Sequence, residues 1–594
     1  MNSDYKTSWD LSLYYKDLND PQIELDKEKV TELVKHFSGK YKGNLKNLEA
    51  QKFLEFFQED DEIDFLVNKL AIFLHLNASL ETQNQEILKK QAQFDNFVVG
   101  LSNQLLFVTQ EFKDIGYEKL LTLSENSILK DYKNFFVRKA ESIKYVLEEK
   151  TEFALNLKEN SGVSAFNSLY EELTSSYIFE IEIDGQIRTL SEEEIRTLRM
   201  SPKEEVRKSA YAAIRKVYNT KQNQITLGNI YTAVVKDWTS EIKIRGYKSV
   251  LSQRNISEQI DDEAIELLLL EVENAYPLYQ KYLKIKTKLL GKQKLMNWDL
   301  YAPVNSVEKQ FSFAVGLETY LEVISKFDSE FFRYSKELLE TGRVDVFPKP
   351  GKRSGAFCNY EKNFSSSVLL NYTGSARDVS TIAHELGHAA HGYFSQVQPN
   401  QVYHTGLCLA ETASVFNETL LNNTLKEKLS QKDKLDFIEA ELQDIFATIF
   451  RQVQYVLFEK EVHENILSGK ELTYEDYNQI WRNQQLKMTG DLVDYDVSGN
   501  EETGWSGIPH IFHSPFYCYS YAFGNILSFA LYQRYLNEGS SFNEKYKNIL
   551  RSGGSKSPFE LLKENGIDIH SAQFYRDGLE VVANLVSEFE ALAK

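Results

Sequence analysis

A predominantly α-helical chain, with one small β element near its most informative helix, is the fold class this sequence predicts. Only 10 prolines and 28 glycines punctuate 594 residues, so helices are seldom interrupted. Long stretches are rich in Leu, Glu, Lys, Gln and Tyr, and the first four favour helix over strand. The chain is also well beyond the roughly 250 to 300 residues at which a single core stops growing, so several cores or lobes are expected. A hydrophobic content of 42% is enough to build them.

Residues 1 to about 110 read as helical hairpins, with amphipathic runs such as Val67 to Leu74, and carry no catalytic constellation. From 111 to 200 a second helical region is broken by Tyr177 to Ile183, which alternates at strand period. Asp184-Gly185 then turns the chain towards Ile187, and the pair predicts a hairpin. Ser201-Pro202 opens further helix within a third segment, 201 to 594. No flexible linker, low-complexity tract or fixed-period repeat separates the three. Phe347 to Phe357 reads as loop and Ser365 to Asn371 as strand. Next, Ser375-Ala376-Arg377-Asp378 fits a capping box, and Val379, Ile382, Ala383, Leu386 and Ala390 follow at helical spacing.

On that helix stands His384-Glu385-Leu386-Gly387-His388. Two histidines four apart on a helix point the same way and can share one zinc, with the intervening glutamate placed to act on its water. A catalytic zinc takes three protein ligands, so a third must come from elsewhere. His391 is excluded: it lies about 10 Å from His384 along the axis at 1.5 Å per residue, which zinc–nitrogen bonds of about 2 Å cannot span. The metzincin pattern also fails, since it needs Gly and His where His391 and Phe394 stand. His391 is then a residue of the outer shell or wall. The better third ligand is Glu411, on a second helical run after Thr405-Gly406. Glu418, two turns on, either orients a zinc histidine or faces solvent.

A third block, Pro509 to Gly524, holds His510, His513, Tyr517, Tyr519 and Tyr521, donors for charge developing on a scissile carbonyl. Tyr517 and Tyr521 are one helical turn apart and face one way. Tyr519 points elsewhere, towards core or a substrate contact, and His513 also reads as core.

Together, Leu370-Asn371-Tyr372-Thr373-Gly374-Ser375-Ala376-Arg377-Asp378-Val379, the zinc motif, Ala410-Glu411-Thr412-Ala413-Ser414, Pro509-His510 and the tyrosine cluster resemble the oligoendopeptidase F group of thimet-like zinc oligopeptidases. The resemblance is firm over roughly 200 to 585, and it implies two helical lobes around a deep substrate channel. It puts Glu411 at the third-ligand position, matches Glu418 to a glutamate seven residues later, and matches His510 and Tyr521 to substrate-facing donors. The relatives' glycine-rich hinge is replaced here by Ile511-Phe512-His513-Ser514-Pro515. The resemblance also implies one zinc per chain and oligopeptide substrates, with the strand through Ser366, Val368 and Leu370 holding peptide by its edge.

Composition narrows the rest. A formal charge of −19 argues against a nucleic-acid partner, which needs basic patches. No uninterrupted apolar run reaches the ~18 residues of a membrane span, and Met1 to Thr7 lacks the pattern of a secretory signal. Three cysteines, Cys358, Cys408 and Cys518, fit a reducing cytoplasm rather than a disulfide framework. A monomer is favoured. Gly351 and Gly355 form no phosphate loop. A dipeptidyl or metallocarboxypeptidase would use the same ligands but needs a cationic pocket for a terminal carboxylate, and the sequence identifies none. A helical peptide-binding protein with structural zinc would close the fourth metal position with a protein ligand, against which Glu385 stands.

Overall fold

The computed structural model describes residues 5–159, 161–304, 310–495 and 501–594; Met1 to Asp4 of the amino-terminal run lie outside them. Helices dominate, and strands among the described residues are two to five residues long. Two compact units are each assembled from three chain segments. The first comprises Met1–Lys144, Gln310–Leu425 and Arg534–Gly566; the second comprises Tyr145–Lys309, Lys426–Gln533 and Ile567–Lys594. Residue 110 falls inside helix Gln85–Ile115.

In the first unit the expected hairpins are helices Pro21–Tyr41, Ala50–Leu80 and Gln85–Ile115. Asp20 and Asn84 cap the first and third by accepting backbone N–H groups. Their shared core is aromatic: Phe37, Tyr41, Phe53, Phe56, Phe57 and Phe112 interlock, and Phe57 stacks on Tyr132 at 4.3 Å. Helix Ala50–Leu80 contains an 18-residue window of mean hydropathy 1.3, of which half is buried. Length and composition of this kind occur in core helices and membrane spans alike, and this helix carries Asp60, Asp61 and Asp64.

A three-stranded sheet completes this unit. Ser367–Leu369 is its middle strand, antiparallel to Phe357–Asn359 and parallel to Val344–Asp345. The amino-terminal strap ties onto it, with Val346 N–H donating to Thr7 O (3.0 Å) and Trp9 Nε1 donating to Val368 O (2.9 Å). This corrects the sequence expectation of a substrate-holding edge at Ser366, Val368 and Leu370. These residues are 1%, 0% and 2% exposed, and the N–H groups of Val368 and Leu370 donate to Arg343 O and Asp345 O, each at 2.8 Å. A central strand has no edge to offer; the outer strand is Phe357–Asn359.

The second unit contains the predicted hairpin, Phe179–Ile183 against Gln186–Leu190. Asp184 and Gly185 both adopt positive φ (51° and 78°), as the two-residue turn of a tight hairpin requires. Helices Glu204–Tyr218, Lys221–Arg245, Arg451–Leu467 and Tyr474–Thr489 enclose a core of Tyr231, Phe458, Tyr477, Trp481 and Trp505. Two buried cations are paired here, Arg207 with Asp299 at 3.0 Å and Lys286 with Glu439 at 2.8 Å, which offsets part of the cost of burying them.

Candidate metal centre

Helix Ala376–Ser395 begins with the capping box read from the sequence: Ser375 Oγ accepts the Asp378 N–H at 3.1 Å. Asp378 Oδ2 in turn accepts from the N–H groups of Thr373, Gly374 and Ser375. A start fixed this firmly sets the helix register, and His384 and His388 emerge on one face with ring centres 5.0 Å apart.

Opposite them the chain forms a short helix, Leu407–Ala410, then breaks at Glu411 before helix Thr412–Glu427. The break turns Glu411 Oε2 to 3.4 Å from Nε2 of both His384 and His388. These three side chains bring ligand atoms within 4.8 Å of one another, the one such group of His, Cys, Asp and Glu found among the described residues. Ser414 donates to Glu411 Oε2 at 2.6 Å. Glu418 Oε2 lies 3.1 Å from His384 Nδ1, so an Nδ1–H donated to that carboxylate leaves the Nε2 lone pair facing the other ligands. Two imidazole nitrogens and one carboxylate oxygen, with one ring oriented from behind, form a donor set that fits zinc.

Gly387 lets the two segments meet. A Cβ there would fall 2.5 Å from Ala413 O and 2.7 Å from Ser414 Cα, both backbone. In the sequence Gly387 reads only as a spacer within the motif; a glycine between two ligand histidines is the signal that could have marked the close approach. Ser414 has no comparable signal.

Electrostatics distinguish the carboxyl groups. Glu385 is 6% exposed and its Oε2 has no hydrogen-bond partner; burial raises its pKa against the opposing pull of His384 and His388. Burial acts on Glu411 in the same direction, but the hydrogen bond and charge of His388, the charge of His384 and the Ser414 hydroxyl outweigh it and hold its carboxyl well below the usual range. Burial disfavours charging His384, yet the Glu418 hydrogen bond and the surrounding carboxylates push its pKa up to about 9. His391 is buried against the Ala410 backbone, and its pKa is pushed down to about 4 by burial and by His388. It forms a neutral wall beneath the Glu411 segment.

The third block lies in the second unit. His510 sits on the short helix Pro509–His513 and Tyr521 on helix Tyr519–Glu538. Tyr517 precedes that helix, where the sequence places it one turn before Tyr521 on the same helix. The rings meet nonetheless: His510 stacks on Tyr517 at 5.7 Å, Tyr517 meets Tyr521 edge-on at 5.3 Å, and Tyr521 Oη is 3.5 Å from His510 Nε2. Phe516, in the left-handed region at φ 61°, makes the turn. Its N–H donates to Glu459 at 2.9 Å, a carboxyl whose pKa burial pushes up to about 8. Tyr519 is wholly buried, on the core side of the helix. His513, read as core, instead keeps 30% of its side chain exposed and faces Glu171 at 3.6 Å. His510 is held below the usual histidine range by burial and by the charges of His513 and Arg451.

Comparison with known proteins adds to this geometry. The sequence profile of Peptidase family M3 matches residues 197–581. The chain is 27% identical over 610 aligned positions to a Lactococcus lactis oligoendopeptidase F homolog, covering 99% of this chain and 98% of that protein. Among solved structures it resembles a Chlamydophila abortus protein with a TM-score of 0.87 at 25% identity, covering 99% and 98% of the two chains. It also resembles oligoendopeptidase F from Enterococcus faecium, with a TM-score of 0.71 at 22% identity over 96% and 98%.

Proposed function

The chain belongs to peptidase family M3, and from that premise we propose that it is a zinc-dependent oligoendopeptidase cutting internal bonds of short, unstructured peptides. The observation that carries this reading is the convergence of His384, His388 and Glu411 with the buried carboxyl of Glu385 on the same helix, its Oε2 without a hydrogen-bond partner. One zinc, when bound by those three residues, supplies the Lewis acidity that brings water to a pKa of about 7 and polarises a carbonyl. Glu385 acts as general base: its buried carboxyl accepts a proton and returns it to the leaving amine. Glu418 fixes the His384 ring. His510 and Tyr521, with Tyr517, are the proposed donors to the oxyanion, and losing one such donor costs about 10²- to 10³-fold in turnover. The outer strand Phe357–Asn359 takes the role of holding extended peptide that the sequence suggests for its neighbour. The partners are oligopeptides, the protein acts as a monomer, and three cysteines outside any disulfide suit the cytoplasm.

A quenched peptide assayed with chelator, with restored zinc and with cut-site mapping tests this reading. Internal cleavage lost to chelator and regained with zinc is expected. Removal of terminal residues alone would favour a carboxypeptidase, and no cleavage at all would favour a binding protein. Glu385→Gln should retain zinc and lose about 10²- to 10⁴-fold in turnover; near-normal turnover in zinc-loaded protein would remove Glu385 from the chemistry.

A further inference from the structure

In the second unit, helix Gln431–Ile445 passes through one π-helical turn, Phe446–Phe450, before resuming as Arg451–Leu467. Such a turn shifts the register of the downstream helix, and turns of this kind recur at functional sites. The first residue after this one is Arg451. Its guanidinium donates to the Tyr301 hydroxyl and lies 5.8 Å from the Tyr301 ring and 6.0 Å from the Tyr455 ring. Arg199 stands over the same Tyr301 ring at 5.1 Å.

The balance of charge here is one-sided. Arg196 is paired with Glu192, and Lys286 with Glu439. Arg199 and Arg451 have no ion pair among the described residues, and the buried Nε of Arg451 has no hydrogen-bond partner. Arg215, only 7% exposed, donates to Thr503 Oγ1 at 3.1 Å and also lacks a carboxylate. Burial and the charges of Arg199 and Arg196 push its pKa down to about 9. Tyr301 registers the same potential: burial raises its pKa, but Arg451 and Arg199 outweigh burial and the net shift is downward. The neighbouring buried Tyr279 and Tyr282 shift the other way. Arg199 and Arg451 are themselves only partly buried, and two guanidinium groups without a carboxylate beside one ring make a positive site that attracts an anion.

We propose that Arg199 and Arg451, both against Tyr301, form a subsite for the free α-carboxylate at the carboxyl end of an oligopeptide. The planar guanidinium fork matches a carboxylate through two parallel hydrogen bonds. Every unmodified peptide carries this one anion whatever its sequence, so a peptidase that meets short peptides can recognise their ends without selecting their side chains. Arg451 is also close enough to His510, in the same unit, for its charge to be among the causes that keep that histidine neutral. The subsite rests on the peptidase reading and gives it a polarity: peptides are registered from the carboxyl end.

The test uses the full chain with zinc and one internally quenched oligopeptide in two forms, free acid and carboxamide. The acid should show a KM about 10- to 100-fold lower than the amide, the range expected for hydrogen bonds between charged groups. In Arg199→Gln/Arg451→Gln that ratio should collapse towards one, and Arg451→Lys should keep part of it. Equal KM for acid and amide in the wild type overturns the subsite while leaving the peptidase reading intact, and this comparison needs no variant to fold. A third peptide, amidated but with an added glutamate, separates sources of carboxylate: if it alone regains the low KM, the cluster reads acidic side chains and the terminal assignment falls. Calorimetric titration of acid and amide into Glu385→Gln protein gives a readout free of turnover. Acid-selective binding there supports the subsite even if no cleavage is seen, and indifferent binding overturns it.

Discussion

Glu411 and Glu418 are seven residues apart on adjoining helical segments and both reach a histidine, so they are the pair most easily exchanged in assigning the centre. The distances separate their roles: Glu411 faces two Nε2 atoms at 3.4 Å, whereas Glu418 meets one Nδ1 at 3.1 Å. Glu411→Ala should therefore strip zinc, measured by metal analysis of dialysed protein. Glu418→Ala should weaken binding by the roughly 10- to 100-fold typical of an orienting partner. The opposite pattern would exchange their roles. Tyr521→Phe removes only a hydroxyl 3.5 Å from His510, and turnover should fall with zinc content and melting temperature unchanged; Tyr519→Phe, inside the core, should leave turnover near normal. Glu459 supplies a pH test. Its folded pKa near 8 lies above the roughly 4.3 of an exposed glutamate, so the native state holds the extra proton between those values. Its contribution to stability is full below pH 4 and is lost as pH rises through 8, with a slope of at most about 1.4 kcal/mol per pH unit. Glu459→Gln keeps the acceptor for Phe516 and should flatten that part of the curve in denaturant titrations.

Among elements, the helix that starts at Ser375 is legible almost completely in the sequence, because a capping box, an apolar stripe and the histidine spacing agree over one short run. The strand around Val368 is legible as a strand but not as a central one. Its neighbours Phe357–Asn359 and Val344–Asp345 are three and two residues long, too short for a periodic signal, so the sequence suggests an edge where none exists. Tyr517 reads as helical because nothing in Pro515-Phe516 announces a left-handed turn; glycine normally marks one, and here a buried phenylalanine and Glu459 hold it. The π turn before Arg451 is equally silent, being an ordinary apolar run in sequence. Helix against segment is where Gly387 matters. Alanine favours the helix interior by about 1 kcal/mol over glycine, yet its methyl would meet backbone atoms at 2.5 and 2.7 Å that have no rotamer to change. Gly387→Ala should cost about 1–3 kcal/mol by overpacking and weaken zinc retention by displacing Glu411. A higher melting temperature with full zinc would overturn that account.

At the scale of the whole molecule, the sequence division at residue 200 conceals how the first unit is built. Its metal ligands lie between 384 and 411, but the sheet beneath them is tied by Thr7 and Trp9, and Asn134 donates to Gly554 O at 2.7 Å. Composition changes little along the chain, so contacts spanning more than three hundred residues leave no trace in the local pattern. A fragment of residues 201–594 contains the whole zinc motif but should fail to melt cooperatively by circular dichroism and should lose zinc on dialysis; adding residues 1–144 in trans should recover part of both. The same interleaving sets a timetable for synthesis. The aromatic bundle of the first 144 residues leaves the ribosome first, yet its last partners, Arg534–Gly566, emerge tens of seconds later at about 5–20 residues per second. His384, His388 and Glu411 have all emerged well before that last segment, so zinc can meet its ligands while the unit that holds them is still open.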